Sequence, residues 1–93
     1  MQIKHKEIGS KGLFYLEVEG EKLAEMTYSK AGDSLIIIDH TAVSEKLKGQ
    51  GAGKQLVQAA VSYAREHHIK ILPLCPFAKA VFDKTPDYSN VLN

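Results

Sequence analysis

Lys48-Gly49-Gln50-Gly51-Ala52-Gly53 follows an apolar run that ends in Asp39-His40-Thr41-Ala42-Val43, and it opens directly into an amphipathic segment. Three glycines in five residues let backbone N–H groups crowd around an anion without interference from Cβ atoms. A helix that starts there adds unpaired N–H donors and the positive end of its dipole. The stretch therefore reads as a cradle for phosphate or pyrophosphate at a strand-to-helix junction.

Downstream of the cradle, a helix is expected from about Gly51 to His68. Leu56, Val57, Ala60, Val61 and Ala64 form one apolar stripe, while Lys54, Gln55, Gln58, Ser62, Arg65 and Glu66 cover the other side. Ile69-Lys70-Ile71-Leu72-Pro73-Leu74 reads as a buried strand. Strand, helix and strand make a right-handed crossover, so this strand should run parallel to the one before the cradle. Cys75-Pro76 begins a second short helix through about Lys84, with Pro76 at its first position. Thr85-Pro86-Asp87 ends it, and the last residues read as loop.

Upstream, Ser34 to Val43 is the most apolar strand and is expected to be central. Lys22 to Ser29 precedes it, joined by a tight Gly20-Glu21 turn to an aromatic strand from Leu13 to Glu19. Gly9-Ser10-Lys11-Gly12 is a further turn, and Ile3 to Ile8 a weakly patterned first strand. The fold class is α+β: an antiparallel meander of four strands, then helix, parallel strand and short helix, with the helices covering a mixed sheet.

Composition narrows the function. With 93 residues, positions 1–93 suit a single domain. The balance of 44% apolar and 25% charged residues is that of a soluble globular domain. The longest aliphatic run, Leu35 to Ile38, is too short to span a bilayer, and Met1 to His5 has no signal-peptide core. A single cysteine suits a reducing compartment, so the expected location is cytoplasmic. The net charge of +1, with aromatics not interleaved among Lys and Arg, argues against nucleic acid. No Cys/His spacing suggests a metal site.

Two phosphate-binding motifs fail on spacing. A P-loop needs a glycine five residues before Gly53, where Lys48 stands, and a hydroxyl after Lys54, where Gln55 stands. A dinucleotide fingerprint opening at Gly51 would need a third glycine at Leu56, and an early antiparallel run is wrong for that fold. Lys48 to Gly53 instead resembles the [Gln/Arg]-x-x-Gly-x-[Gly/Ala] loop of the Gcn5-related N-acetyltransferases, as does the strand–loop–helix–strand–helix context from Ser34 to Lys84. His40-Thr41-x-Val43, Ala64-Arg65 and Cys75-Pro76-Phe77-Ala78-Lys79 make the chain look like a small, atypical, YjdJ-type branch of that superfamily. Lys48 departs from the usual Arg or Gln. The chain also shows neither the two helices that usually follow strand 1 nor the strand pair that usually ends the fold, and those parts build the acceptor wall.

The resemblance implies a minimal domain that binds acetyl-coenzyme A and transfers acetyl to a primary amine. The acceptor is open, with a protein or peptide amine in view; the alternative is a coenzyme A-binding sensor or interaction module without transferase activity. Carried onto this sequence, the pyrophosphate falls to Lys48, Gly49, Gln50, Gly51, Ala52, Gly53 and Lys54, mostly through backbone amides. The pantetheine arm falls to the backbone of Thr41, Ala42 and Val43, on a strand that usually bulges and splays from its parallel neighbour. His40 is read as general base or as a histidine that holds the bulge. Cys75, at a helix N-cap where amides favour thiolate, is read as acetyl acceptor or as pocket lining. Phe77 is a core or cofactor-facing residue, and Lys79 meets the adenosine 3′-phosphate or is solvated. His5, His67 and His68 are expected on the surface.

Overall fold

The computed structural model describes residues 2–93. Five strands form one sheet in the order of the chain: β1 (Lys4–Ile8), β2 (Lys11–Val18), β3 (Glu21–Lys30), β4 (Leu35–Val43) and β5 (Lys70–Pro73). The first four are antiparallel neighbours, and β5 runs parallel to β4 after the crossover helix α1 (Ala52–His67). A second helix, α2 (Pro76–Lys84), follows. The expected α+β class and strand order are those observed.

The turns are tighter than their sequences suggest. Gly9-Ser10 alone joins β1 to β2, so β2 starts at Lys11 rather than Leu13. The next hairpin turns at Glu19-Gly20, one residue earlier than Gly20-Glu21. Both residues have positive φ, 50° and 81°, the backbone twist that a two-residue hairpin requires.

One face of the sheet carries the core. Phe14 and Leu16 from β2, Met26 and Tyr28 from β3, Ile36 and Ile38 from β4 and Ile71 from β5 are all buried there. They meet the α1 stripe of Leu56, Val57, Ala60, Val61 and Ala64, whose members are all buried. Complete burial of a leucine or valine is worth about 1.5–3 kcal/mol, so Leu56, Val57 and Val61 chiefly fix α1 across the sheet.

The C-terminal residues are not a loop. Pro86–Val91 forms a 3-10 turn with Val91 buried, and Leu92 pairs with Ile71 on the outer edge of β5. The Asn93 amide donates to Ile71 O at 2.9 Å. Arg65 donates to Asp87 O at 2.7 Å and Asn90 Oδ1 at 3.1 Å, and Lys70 to Asn90 O at 2.6 Å. The edge of β5 offers unpaired peptide groups, and two cations anchor the segment that satisfies some of them.

His5 is exposed as expected, yet it is not isolated. Its ring stacks on Phe14 with centroids 4.2 Å apart, and its Nε2 lies 2.6 Å from Tyr28 Oη. Tyr28 and Tyr63 donate to Glu7 Oε2 at 2.8 and 3.2 Å, and Lys30 donates to Oε1 at 2.8 Å. With the Tyr28 proton committed to Glu7, the short His5 contact needs a proton on Nε2. Burial lowers the pKa of His5 against the pull of Glu7. The Lys30 ammonium, then the Tyr28 hydroxyl, hold Glu7 down at about 2. A carboxylate depressed below its unfolded value of 4.5 stabilises the fold above that value, and the contribution disappears as pH falls towards 2. Glu7→Gln is therefore expected to lower the denaturation midpoint at pH 7 and to flatten its acid dependence between these two values. An unchanged acid limb in urea melts would show that Glu7 is not the group responsible.

Candidate functional site

The site begins where β4 and β5 part. Their parallel pairing runs from Leu35 opposite Lys70 to Ile38 opposite Pro73. The amides of Leu74 and Cys75 then both donate to Ile38 O, at 3.1 and 3.2 Å, and the chain turns away into α2. Beyond Ile38, β4 continues to Val43 paired with β3 alone. Thr27 lies opposite His40 and Tyr28 opposite Ile38, so Asp39 is an extra residue in β4, a β-bulge. The Ser44 amide bonds to Leu23 O at 2.7 Å, which fixes the phase of the strand. His40 and Ala42 turn their peptide groups towards β3, and Thr41 and Val43 turn theirs into the opening.

The bulge also changes which side chains share a face. Before it, Ile36 and Ile38 lie on the helix-covered face. After it, Thr41 stands opposite buried Met26, and His40 stands opposite Thr27. Residues directly opposite across an antiparallel pair share a face. Thr41 therefore lies on the helix side, and exposed His40 lies on the uncovered side. Asp39 belongs to that uncovered side too, accepting from Ser29 Oγ at 2.7 Å, which in turn accepts from Lys11 Nζ at 2.8 Å.

The cradle closes one end of the opening. Ser44 Oγ accepts from the Lys46 amide at 3.2 Å and starts a 3-10 turn over Glu45–Leu47. Gly49 and Gly51 have φ of 78° and 72°, and a Cβ on either would meet no protein atom within 4 Å. Gly51 caps α1 without a side-chain bond, and its carbonyl accepts from the Gln55 amide at 3.1 Å. The amides of Ala52, Gly53 and Lys54 consequently have no acceptor within the helix. Two cradle amides are already committed, Lys48 to Glu45 O and Gln50 to Leu47 O, both at 3.1 Å. Lys46 pairs with Glu21 at 3.0 Å, and Lys48 is exposed beside the glycines.

Cys75 and Phe77 form the opposite wall. Cys75 is 6% exposed, and its Sγ lies 3.3 Å from Thr41 Oγ1 across the opening. Burial pushes the thiol pKa up, but the Thr41 hydroxyl and the backbone amides of Ala78, Phe77 and Thr41 outweigh burial, and the net shift is downward. The N-terminus of α2 and the free edge of β4 thus converge on one sulfur. Phe77 is 41% exposed and lies over the first turn of α1, where a Cβ on Gly53 would stand 2.5 Å from Phe77 Cζ. The third cradle glycine therefore makes room for this ring, a role its φ does not reveal.

The structure thus brings Thr41 to Cys75 and Phe77 to the cradle at Gly53, with Val43 two residues further along the same edge of β4. His40 is at the same level of β4 on its other face. Lys79 is turned elsewhere, ion-paired to Asp83 at 3.4 Å. Tyr88, in the C-terminal segment, packs edge-on to Phe82 at 5.9 Å and lies beneath Arg65. The Thr41–Cys75 contact has no signature in either local sequence, because it depends on the bulge.

Comparison with known proteins bears on the family and the fold. The family model of GCN5-related N-acetyl-transferases matches residues 13–91. The solution structure of a GCN5-like protein from Staphylococcus aureus is 42% identical, with a TM-score of 0.74 over 97% of this chain and 87% of that one. The ribosomal-protein-S18-alanine N-acetyltransferase of Escherichia coli superposes with a TM-score of 0.68 at 16% identity, over 84% of this chain and 53% of that enzyme. A family acetyltransferase from Elizabethkingia anophelis with acetyl-CoA bound gives a TM-score of 0.59 at 23% identity, over 69% of this chain and 42% of that one. The last two share the fold with this chain. No protein of curated function matches.

Proposed function

The chain belongs to the GCN5-related N-acetyltransferase family, and on that premise we propose that it binds acetyl-coenzyme A and transfers the acetyl group to a primary amine. The observation that carries the proposal is the parting of β4 from β5 beyond Ile38, with Cys75 against Thr41 at the point of departure. The uncapped N-terminus of α1 stands at one end of the opening, and the free edge of β4 runs along it. The amides of Ala52, Gly53 and Lys54 suit a pyrophosphate, and Gly49 and Gly51 keep side chains out of its way. The peptide groups of Thr41 and Val43 suit the amides of a pantetheine arm. When bound, the coenzyme would supply an activated thioester.

Two side chains are proposed to act on it. The Cys75 thiolate attacks the thioester carbonyl; the bond to the coenzyme sulfur breaks and that sulfur leaves with the pair of electrons. The proton lost by Cys75 is balanced by the one the coenzyme thiolate gains. The amine then attacks acetyl-Cys75, the S–C bond breaks, and Cys75 is restored. His40 takes the ammonium proton from the uncovered side of the strand and releases it to solvent. A second reading is a coenzyme A-binding module without transfer, and the separation of His40 and Cys75 onto opposite faces of β4 favours it. Acetylation assays over a panel of primary amines and amine-bearing peptides distinguish the two: transfer to any of them excludes the module.

The shared premise is tested by calorimetric titration. Gly51→Val puts a β-branched residue at φ 72°, a conformation that costs an ordinary residue about 1–2 kcal/mol, and it adds side-chain atoms to the cradle. The strain lowers stability in the free and bound states alike; the added side-chain atoms occupy the cradle, and acetyl-CoA affinity should fall about tenfold or more, about 1.4 kcal/mol, while the circular dichroism stays native. Binding of acetyl-CoA by Gly51→Val as tight as wild type would remove the cradle from the site, and absence of binding by the wild type would remove both readings.

A further inference from the structure

A hollow of about 280 Å³ lies on the uncovered face of the sheet, lined by residues of β1 to β4 alone. Lys6, Ile8, Lys11, Leu13, Thr27 and Asp39 are among them. Register explains why they meet. Lys6 stands opposite Leu13, Leu13 opposite Thr27 and Thr27 opposite His40, while Ile8 stands opposite Lys11 and Lys11 opposite Ser29. Opposed residues share a face, so two rows of side chains cross the sheet, and the hollow lies over them with an aliphatic wall of Leu13 and Ile8. Ile8 is 79% exposed. Charges stand at the two ends. Asp39 accepts from Ser29 through Oδ2 at 2.7 Å, and among the described residues no donor reaches its Oδ1. Lys6 lies 5.4 Å from the Tyr15 ring centroid and has no carboxylate partner among the described residues.

We propose that this hollow takes the amine acceptor and that the acceptor is a small ω-amino acid, with its ammonium at Asp39, its aliphatic chain on Leu13 and Ile8, and its carboxylate at Lys6. The inference rests on the acetyl-transfer reading above and names its substrate class. Position supports it, since Asp39 is the first residue of β4 beyond the pairing with β5, and its neighbour His40 lies on the same uncovered side. Length sets the class. β1 and β4 are three strand spacings apart, about 14 Å, and side chains stand roughly perpendicular to a sheet. A molecule that meets both charges must therefore hold its own several bonds apart, which an ω-amino acid does and an α-amino acid does not. Charge-assisted bonds at the two ends fix its orientation, and the aliphatic wall disfavours a further charge between them. The ammonium yields one proton to His40. The amine nitrogen then bonds to the acetyl carbon as the acetyl–sulfur bond breaks, and a second amine proton passes to the Cys75 sulfur.

The test measures acetyl transfer at low ionic strength to δ-aminovalerate and to pentylamine, an amine of similar length without the carboxylate. The wild type should show a kcat/KM about fivefold higher for the amino acid, the upper end of what one exposed ion pair supplies. Lys6→Gln should bring that ratio to about one. Asp39→Asn keeps an acceptor for Ser29 and should raise KM for both amines about fivefold. A wild-type ratio near one, an undiminished ratio in Lys6→Gln, an unchanged KM in Asp39→Asn, or faster acetylation of a lysine peptide with an amidated terminus overturns the site and leaves the transfer reading standing. Acetyl-CoA binding with no transfer to any amine overturns that reading and the acceptor role with it. Independently, δ-aminovalerate added to the labelled protein should shift the amide resonances of Ile8, Leu13 and Thr27; shifts confined to other residues count against the hollow.

Discussion

Cys75→Ala is expected to reduce acetyl transfer on the order of a hundredfold or more, the scale on which loss of a nucleophile registers, while acetyl-CoA affinity stays within about twofold. The two readouts separate because different groups serve them. Affinity is assigned chiefly to the amides at the start of α1 and to the peptide edge at Val43, which the substitution does not touch. Transfer is assigned to a sulfur whose thiolate is favoured by the Thr41 hydroxyl and by the amides of Ala78, Phe77 and Thr41. Thr41→Val removes the hydroxyl 3.3 Å from Sγ and keeps the β-branched shape, so it should raise the Cys75 pKa and move the alkaline shift of the rate in the same direction. Iodoacetamide labelling against pH reads the thiol directly. The outcome that would sink the role is full turnover by Cys75→Ala, because the acetyl group would then pass to the amine without resting on the protein. Mass spectrometry of wild type after brief exposure to acetyl-CoA should show an acetyl adduct on Cys75 that hydroxylamine removes.

Much of this arrangement is legible in the sequence, and what escapes it has identifiable causes. The Leu35 to Ile38 run and the α1 stripe are long, regular signals, and they fix an interior strand and the crossover, although the strand expected at the centre of the sheet, β4, lies next to its edge and β3 is the middle one. The glycine spacing places the cradle within a residue of the observed start of α1, and Pro76 marks the start of α2. The bulge at Asp39 carries no such mark. No glycine or proline stands there, and a strict two-residue alternation continued from Ile36 and Ile38 would turn His40 towards the helices. One unpaired residue reverses that, separating His40 from Cys75 and bringing Thr41 to the sulfur. The His5–Tyr28–Glu7 group is hidden for a related reason. It joins β1, β3 and α1, so each member looks like an ordinary surface or strand residue until register brings them together. The C-terminal segment reads as loop because its anchors, Arg65 and Lys70, lie twenty or more residues away along the chain. Phe77 and Gly53 likewise meet only in three dimensions.

Gly12→Ala should destabilise the fold by about 3 kcal/mol, at the upper end of what overpacking costs and a large part of the stability of a small domain. The cause is steric alone, since Gly12 does not have the positive φ of the turn glycines. A Cβ there would lie 2.3 Å from Tyr28 Cζ and 2.4 Å from Tyr28 Oη, and the ring has nowhere to retreat. Tyr28 is 1% exposed, with Phe14 and Tyr63 at centroid distances of 5.6 and 6.3 Å and its hydroxyl held between His5 and Glu7. Gly20→Ala makes the contrasting control: its Cβ would meet nothing, so only the cost of φ 81°, about 1–2 kcal/mol, should appear. Urea midpoints measure both, and a Gly12→Ala loss no greater than that of Gly20→Ala would mean that the ring yields. In a Tyr28→Leu background, which removes the ring edge, the Gly12→Ala penalty should shrink well below its wild-type value. The effect should also reach the site. Tyr28 lies opposite Ile38 at the step where the β3–β4 register shifts, so displacing its ring disturbs the bulge that sends Thr41 to Cys75. Near-native stability combined with weakened acetyl transfer in Gly12→Ala would locate the strain in that bulge, and lost stability with native transfer in the surviving folded fraction would locate it in the core.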